Sequence, residues 1–331
     1  MASSASRWPI RVGVALSGGG AAGMAHVGVL EVLRDAGIEV THVAGTSAGA
    51  MVGAAYAAGN LESFRETMYS LTRGRVLRLF DPIWPQAGLL EGRRSLELVR
   101  PHLGERIEDL GVAYAAVAAD LHTGEEVVLR RGSVAEAVRA SITIPGLFTP
   151  HRWQGRLLVD GGLVNPVPAD VARALGAQFV IAVSVLSVPP AAVARRAMGG
   201  LTQQWSERLR RRWRPAVPQP KAATLAEEED GELGLVDVLS RASALVQARI
   251  AEARLRDDPP DFLIHVPLRL GLFDFHRSRE AVAAGRKAAQ EHLGELRHSL
   301  EAALPLVERM SRWLDLAAER WRNAARAEPA R

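Results

Sequence analysis

The chain has 331 residues, 48% of them hydrophobic and 24% charged, which suits a folded protein with one large α/β domain or two smaller ones. Cysteine is absent, so disulfides, thiolate metal sites and thiol nucleophiles are excluded. The formal net charge is only +4, nearly all basic residues are arginine, and no basic platform interleaved with aromatics is present, so no nucleic-acid partner is expected.

Residues 1–10, MASSASRWPI, read as a tail without the apolar core of a signal peptide; a cytoplasmic protein, at most peripheral to the inner membrane surface, is expected. Arg11 to Ser17 (RVGVALS) is an apolar run ending in glycines and predicts a strand. In MAHVGVLEVLRDAG, Met24, Val27, Val32 and Leu33 recur at helical spacing and Gly37 supplies the stop. VTHVAG predicts a second strand and AGAMVGAAYAAG a second helix. The uncharged run between Glu39 and Glu62 that holds them is long enough to span a bilayer. Its glycines, alanines, His42 and Asn60 favour a buried strand, turn and helix instead. Strand, glycine turn and helix, twice in succession, predict a parallel sheet covered by helices.

Further strands are expected from Ala113 to Ala119, Glu126 to Arg130, Arg156 to Val159 and Phe179 to Ser184, with a helix from Asn165 to Leu175 before the last. After Pro189 and Pro190 the composition shifts: ARRAMGGLTQQWSERLRRRWRP carries seven arginines against one glutamate. Residues 190–232 are read as an Arg-rich helical insertion with Met198, Leu201, Trp205, Leu209 and Trp213 on one stripe. That stripe suits an anionic membrane surface, or equally packing on the α/β body or a second subunit. The α/β pattern resumes at LVDVLSRASALVQARIAEARL and DFLIHVPL, and the chain reads as helical from Ser278 onward. Residues 287–331 are read as a C-terminal helical extension whose last stripe is Leu306, Met310, Trp313, Leu314, Ala317 and Trp321.

Three short stretches carry candidate chemistry. Gly18-Gly19-Gly20-Ala21-Ala22-Gly23 fits G-x-G-x-x-G between a strand and a helix. The acidic residue of a dinucleotide site is missing from the end of the second strand, and Met24 and Ala25 stand where a P-loop needs Lys and Ser/Thr. What remains is a row of backbone N–H groups suited to a developing negative charge, or simply a tight turn. Gly45-Thr46-Ser47-Ala48-Gly49 is a G-x-S-x-G between a predicted strand and helix. Gly45 and Gly49 let the backbone turn sharply and present the Ser47 hydroxyl at the positive end of the helix, although a serine N-cap has the same pattern. In LLVDGGLVNPVP, Gly161 and Gly162 clear space around Asp160, and Asp-Gly is also a common turn pair.

Together with ALSGGGAAGMAHVGVLEVLRDAGI, GTSAGAMVGAAYAAG, ASITIPGLFTP and GRLLVDGGLVNPVPADVARALGA, these stretches resemble bacterial members of the patatin-like phospholipase family. The resemblance is close from Arg11 to Ser187 and looser from Leu235 to Arg286. It implies one domain over residues 11–286, a three-layer α/β/α fold with a mainly parallel sheet and a hydrolytic site at the C-terminal ends of the strands. It further implies Ser47 as nucleophile, Asp160 as its base and the amides of Gly18, Gly19 and Gly20 as the oxyanion hole. The implied activity is hydrolysis of carboxylic esters of phospholipids or lysophospholipids, with no metal or organic cofactor. One position departs: the family's loop usually has Arg or Lys where this chain has Ala22. An aspartate is a weak base in water, but partial desolvation against Ser47 makes it basic enough to take a proton.

Three rival readings remain open at this level, one of them a pseudo-enzyme that kept the fold and lost activity, for which Ala22 is the motivating feature. A Ser-His-Asp esterase needs a histidine after Asp160, and His265, His276, His292 and His298 all lie outside Gly-rich turns; His26 reads as a packing residue. A non-catalytic phosphate- or nucleotide-binding module using the same glycine loop has no need of Ser47 or Asp160. Self-association and contact with an anionic membrane are both compatible with the sequence.

Overall fold

The protein's structure, a computed structural model, describes residues 8–82, 88–186 and 235–305. The Arg-rich insertion read at 190–232 and the stripe from Leu306 to Trp321 lie outside the described residues.

The strands are β1 (Val12–Leu16), β2 (Val40–Thr46), β3 (Gly88–Leu90), β4 (Ala113–Asp120), β5 (Glu126–Leu129), β6 (Gly146–Phe148), β7 (His151–Trp153), β8 (Arg156–Asp160), β9 (Phe179–Ser184) and β10 (Phe262–His265). The helices are α1 (Ala25–Asp35), α2 (Ala48–Ala57), α3 (Leu61–Tyr69), α4 (Arg73–Arg78), α5 (Arg93–Val99), α6 (Val134–Ser141), α7 (Ala169–Ala174), α8 (Leu235–Asp257) and α9 (Ser278–Ala303). The main sheet runs β10-β9-β1-β2-β4-β8-β7, with β5 also paired to β4. From β10 to β4 the pairs are parallel, as the strand-helix repeat predicts. Beyond β4 the sheet turns antiparallel through β5, β8 and β7. The connection there is too short for a crossover: Gln154 and Gly155 alone join β7 to β8, both at positive φ as a type I′ hairpin requires.

Period-two alternation divides the parallel strands between two cores. Along β1, Val12, Val14 and Leu16 face one side and Ala15 the other; along β9, Phe179, Ile181 and Val183 oppose Val180 and Ala182. α1, α2 and α9 cover the first face, and α7 and α8 cover the second, where alanines on both sides let the helices approach closely. The result is three layers, α/β/α.

The helix expected from Asn165 to Leu175 is shorter, Ala169–Ala174. Pro166 and Pro168 supply no N–H and push the residues before them out of the helical region. Asn165 is held instead by its N–H on Gly161 O at 2.8 Å and by Thr46 Oγ1 on its carbonyl at 2.7 Å.

α9 passes without a break through residue 286, where the sequence suggested a division, and lies against α1. The two backbones touch: a Cβ on Gly285 would stand 1.9 Å from Ala25 O, and one on Gly28 2.1 Å from Val282 O. Beside this contact the buried Glu31 of α1 is paired by Arg65 of α3 and, at 2.6 Å, by Arg286 of α9. Helix propensity alone would favour alanine over glycine by about 1 kcal/mol. Gly285→Ala is nevertheless expected to destabilise the fold by about 2–4 kcal/mol, because backbone atoms cannot yield as a side chain would. A urea melt with a lower midpoint and unchanged m value checks this.

Candidate active site

β1 and β2 end side by side, with Leu16 opposite Gly45. The glycine loop leaves the end of β1, Ser47 follows the end of β2, and β8 ends at Asp160. Ser47 has φ 54 and ψ −121, one of two non-glycine residues at positive φ among the described residues. Such a conformation costs about 1–3 kcal/mol and persists only where packing enforces it. Here the chain has no room to do otherwise: a Cβ on Gly45 would lie 2.4 Å from Gly49 O, and one on Gly49 2.2 Å from Leu16 O. The Ser47 N–H donates to Ser141 Oγ at 2.8 Å, which donates to Val117 O at 2.6 Å, so α6 and β4 brace the elbow. Ser47 is 7% exposed and caps the N-terminus of α2, whose dipole favours negative charge there.

Asp160 is 2% exposed. Its N–H donates to Thr143 O at 2.7 Å, and its Oδ1 accepts the Gly162 N–H at 2.8 Å. Its carboxylate is close enough to the Ser47 side chain for that hydroxyl to lower its pKa. Burial pushes its pKa up to about 6, against the Ser47 hydroxyl and the Gly162 N–H, which pull it down. The carboxyl is thus a stronger base than aspartate in water, yet mostly ionised at neutral pH. Gln247 of α8 packs on the other side, where a Cβ on Gly162 would meet its Cδ at 2.6 Å. Neither Ser141 nor Gln247 carries a local sequence signal, since both act across long stretches of chain.

The glycine loop is pinned from beneath. His26 Nε2–H donates to Ser17 O at 2.8 Å; burial lowers its pKa to about 4, so the ring is neutral. The Ser17 hydroxyl accepts the Val185 N–H at 3.0 Å and donates to Gly18 O at 2.9 Å. This fixes the Gly18–Gly19 peptide by its carbonyl and aims the Gly19 N–H the opposite way. Gly19 and Gly20 have φ of 144 and 55, reachable without strain only for glycine. Of the three loop amides expected to face an oxyanion, that of Gly18 is redirected: its N–H donates to Pro166 O at 3.1 Å. The N–H groups of Gly19 and Gly20 have no acceptor among the described residues. Ala22 is buried in the main core.

Three of the four histidines considered as bases are engaged elsewhere. His276 accepts from Arg73, His292 donates to Ala288 O, and His265 ends β10 beside Ser184. Among the described residues no group of three or more His, Asp or Glu is placed to hold a metal ion, and no helix is long and apolar enough to cross a membrane.

From Ser47 an apolar cavity of about 730 Å³, part of it open to solvent, extends between α2, α3, α4 and α5. Its floor is the buried Met51, Met68, Leu71, Val76 and Val99. Half-buried Leu79, Phe80, Leu272, Phe273 and Phe275 form the rim, with Phe80 and Phe273 edge to face at 4.8 Å.

Residues 14–173 match the family model described as patatin-like phospholipase. The chain is 35% identical over 329 residues to an uncharacterised NTE family protein of Mycobacterium tuberculosis, across 86% of this chain and 91% of that one. It is 40% identical over 188 residues to a patatin-like phospholipase domain-containing protein of Caenorhabditis elegans, across 54% of this chain and 14% of that one. Among solved structures, VipD from Legionella pneumophila is similar with a TM-score of 0.44 and 16% identity, over 87% of this chain and 67% of that one. With the matched stretch running from β1 into α7 and a relative alike over nearly its whole length, the chain belongs to the patatin-like phospholipase family.

Proposed function

We propose that the protein is a serine hydrolase that cleaves carboxylic esters of lipids, phospholipids or lysophospholipids, through Ser47 and Asp160. One observation carries the reading: a serine on a strained elbow stands beside a buried, basic carboxylate and opens onto an apolar cavity. Asp160 takes the hydroxyl proton as Ser47 Oγ bonds to the ester carbonyl carbon. The N–H groups of Gly19, Gly20 and Ala48 receive the oxyanion. Collapse breaks the ester C–O bond, and the departing alcohol takes the proton from Asp160. Water then gives a proton to Asp160 and attacks the acyl-serine, and a second collapse frees the fatty acid and returns the proton to Ser47. The acyl chain occupies the cavity, whose lining is almost wholly apolar. A phosphate-binding module has less support, since Gly18 to Gly23 supply two free N–H groups and no cation.

The test is fatty-acid release from a lysophospholipid by the purified protein and by Ser47→Ala. Release that vanishes in the variant supports the reading; equal release by both, or by neither, overturns it.

Ser17 enters as a positioning residue. Ser17→Ala frees the Gly18–Gly19 peptide to rotate and is expected to lower kcat by about 10²-fold while KM stays nearly constant. Steady-state kinetics on a short soluble ester separate the two constants.

A further inference from the structure

The rim of the cavity has an unusual outer surface. In α4, Val76 faces the cavity floor, while Leu77, next in the chain, is 64% exposed. Arg73, Arg75 and Arg78 are exposed around it. Arg94 of α5 reaches Arg78 O at 3.2 Å and Phe80 O at 3.4 Å, which ties the end of α4 to α5 across the rim. The carboxylates nearby are engaged elsewhere. Glu91 and Glu97 pair with Arg93, Asp274 pairs with Arg277, and Asp81 accepts the N–H groups of Gly92, Arg93 and Arg94. Arg73 and Arg75 bond instead to His276 and Ser70. Among the described residues, Arg73, Arg75, Arg78 and Arg94 therefore have no ion-pair partner.

One exposed leucine is ordinary on a protein surface. Its position among four guanidinium groups without carboxylates, on the helix that walls an apolar cavity, is not. The complement of this face is a layer of negative headgroups over hydrocarbon, because arginine meets phosphate oxygens while leucine enters the acyl boundary. We propose that α4 and the start of α5 dock on an anionic lipid bilayer, with the cavity mouth turned toward it. The proposal rests on the reading of Ser47 and Asp160 as a lipid hydrolase. It adds a route: a lipid drawn from the bilayer passes Leu79 and Phe80 acyl chain first and reaches Ser47 without its tail crossing water.

The experiment uses the full chain and vesicles of phosphatidylcholine with and without phosphatidylglycerol. Wild-type protein should sediment with the anionic vesicles and bind the neutral ones far less. The triple variant Arg73→Glu, Arg75→Glu, Arg78→Glu should bind anionic vesicles weaker by on the order of 10²-fold or more, and Leu77→Asp by about tenfold. Hydrolysis of a short soluble ester by these variants should be unchanged, which shows that they fold and that their catalytic site is intact. Reversal of Arg130 and Arg131, exposed beyond β5 at the opposite end of the sheet, should leave binding nearly intact. The docking proposal is overturned if wild type ignores anionic vesicles, if both rim variants keep full binding, or if Arg130 and Arg131 matter equally. Ser47→Ala should bind vesicles normally while hydrolysing nothing, so failure of the docking proposal and failure of the catalytic reading give different results.

Discussion

Ser47→Ala is expected to abolish ester hydrolysis, by about 10⁴- to 10⁶-fold in kcat, with the protein still folded. The elbow survives because its bracing bond uses the Ser47 backbone N–H, which alanine retains. What changes is the environment of Asp160. The Ser47 hydroxyl holds the Asp160 pKa down against burial, so its loss raises that pKa further. A carboxylate deprived of one donor destabilises the ionised native state by about 1–3 kcal/mol at neutral pH. Fatty-acid release and a thermal melt near neutral pH, measured on the same preparation, check both parts. An active Ser47→Ala protein would remove the nucleophile assignment.

Asp160→Asn should be inactive and also more stable than wild type. Loss of the base lowers kcat by about 10⁴-fold, by analogy with removal of a buried aspartate from a catalytic triad. The stability change follows from linkage. Folding raises the Asp160 pKa from 3.8 to about 6, so the folded state prefers the protonated form. That preference stabilises the protein fully below the unfolded value, declines as pH rises between the two values and is gone above the folded one. At neutral pH and above, ionised Asp160 leaves the native state roughly 3 kcal/mol worse than the acid form would. Asparagine carries no charge, its Oδ1 accepts the Gly162 N–H as before, and its Nδ2 donates to Ser47. The variant's melting temperature should exceed that of wild type at mildly alkaline pH, and the gap should close toward pH 4. Wild-type kcat/KM should fall as pH drops through about 6, because protonated Asp160 cannot accept the serine proton. A variant that is inactive but less stable at every pH would contradict this account.

The sequence was informative where structure is set by neighbours in the chain. β1, α1, β2 and α2 follow from apolar runs separated by glycines, and β9 occupies the run from Phe179 to Ser184 as expected. The positions of Ser47 and Asp160 were readable because each is enclosed by glycines within two residues that the turn cannot do without. Long-range features left no such trace. Ser141 braces an elbow 94 residues away, and Val185 holds a hydroxyl 168 residues away. The redirected Gly18 N–H depends on where Pro166 places its carbonyl, which no pattern in the glycine loop discloses. The cavity draws on α2, α3, α4, α5 and the segment around Phe273, so its existence is a property of packing, with no periodicity of its own.

The Gly28–Gly285 contact has a consequence for synthesis on the ribosome. α1 begins at the glycine loop, and the surface it leans on belongs to α9, which emerges much later. β1 likewise waits for β9 before it has neighbours on both sides. A nascent chain therefore presents Ser47 early but completes the surroundings of the glycine loop only when translation is far advanced. Order of appearance alone thus leaves β1 and α1 among the last parts of the fold to gain their full support.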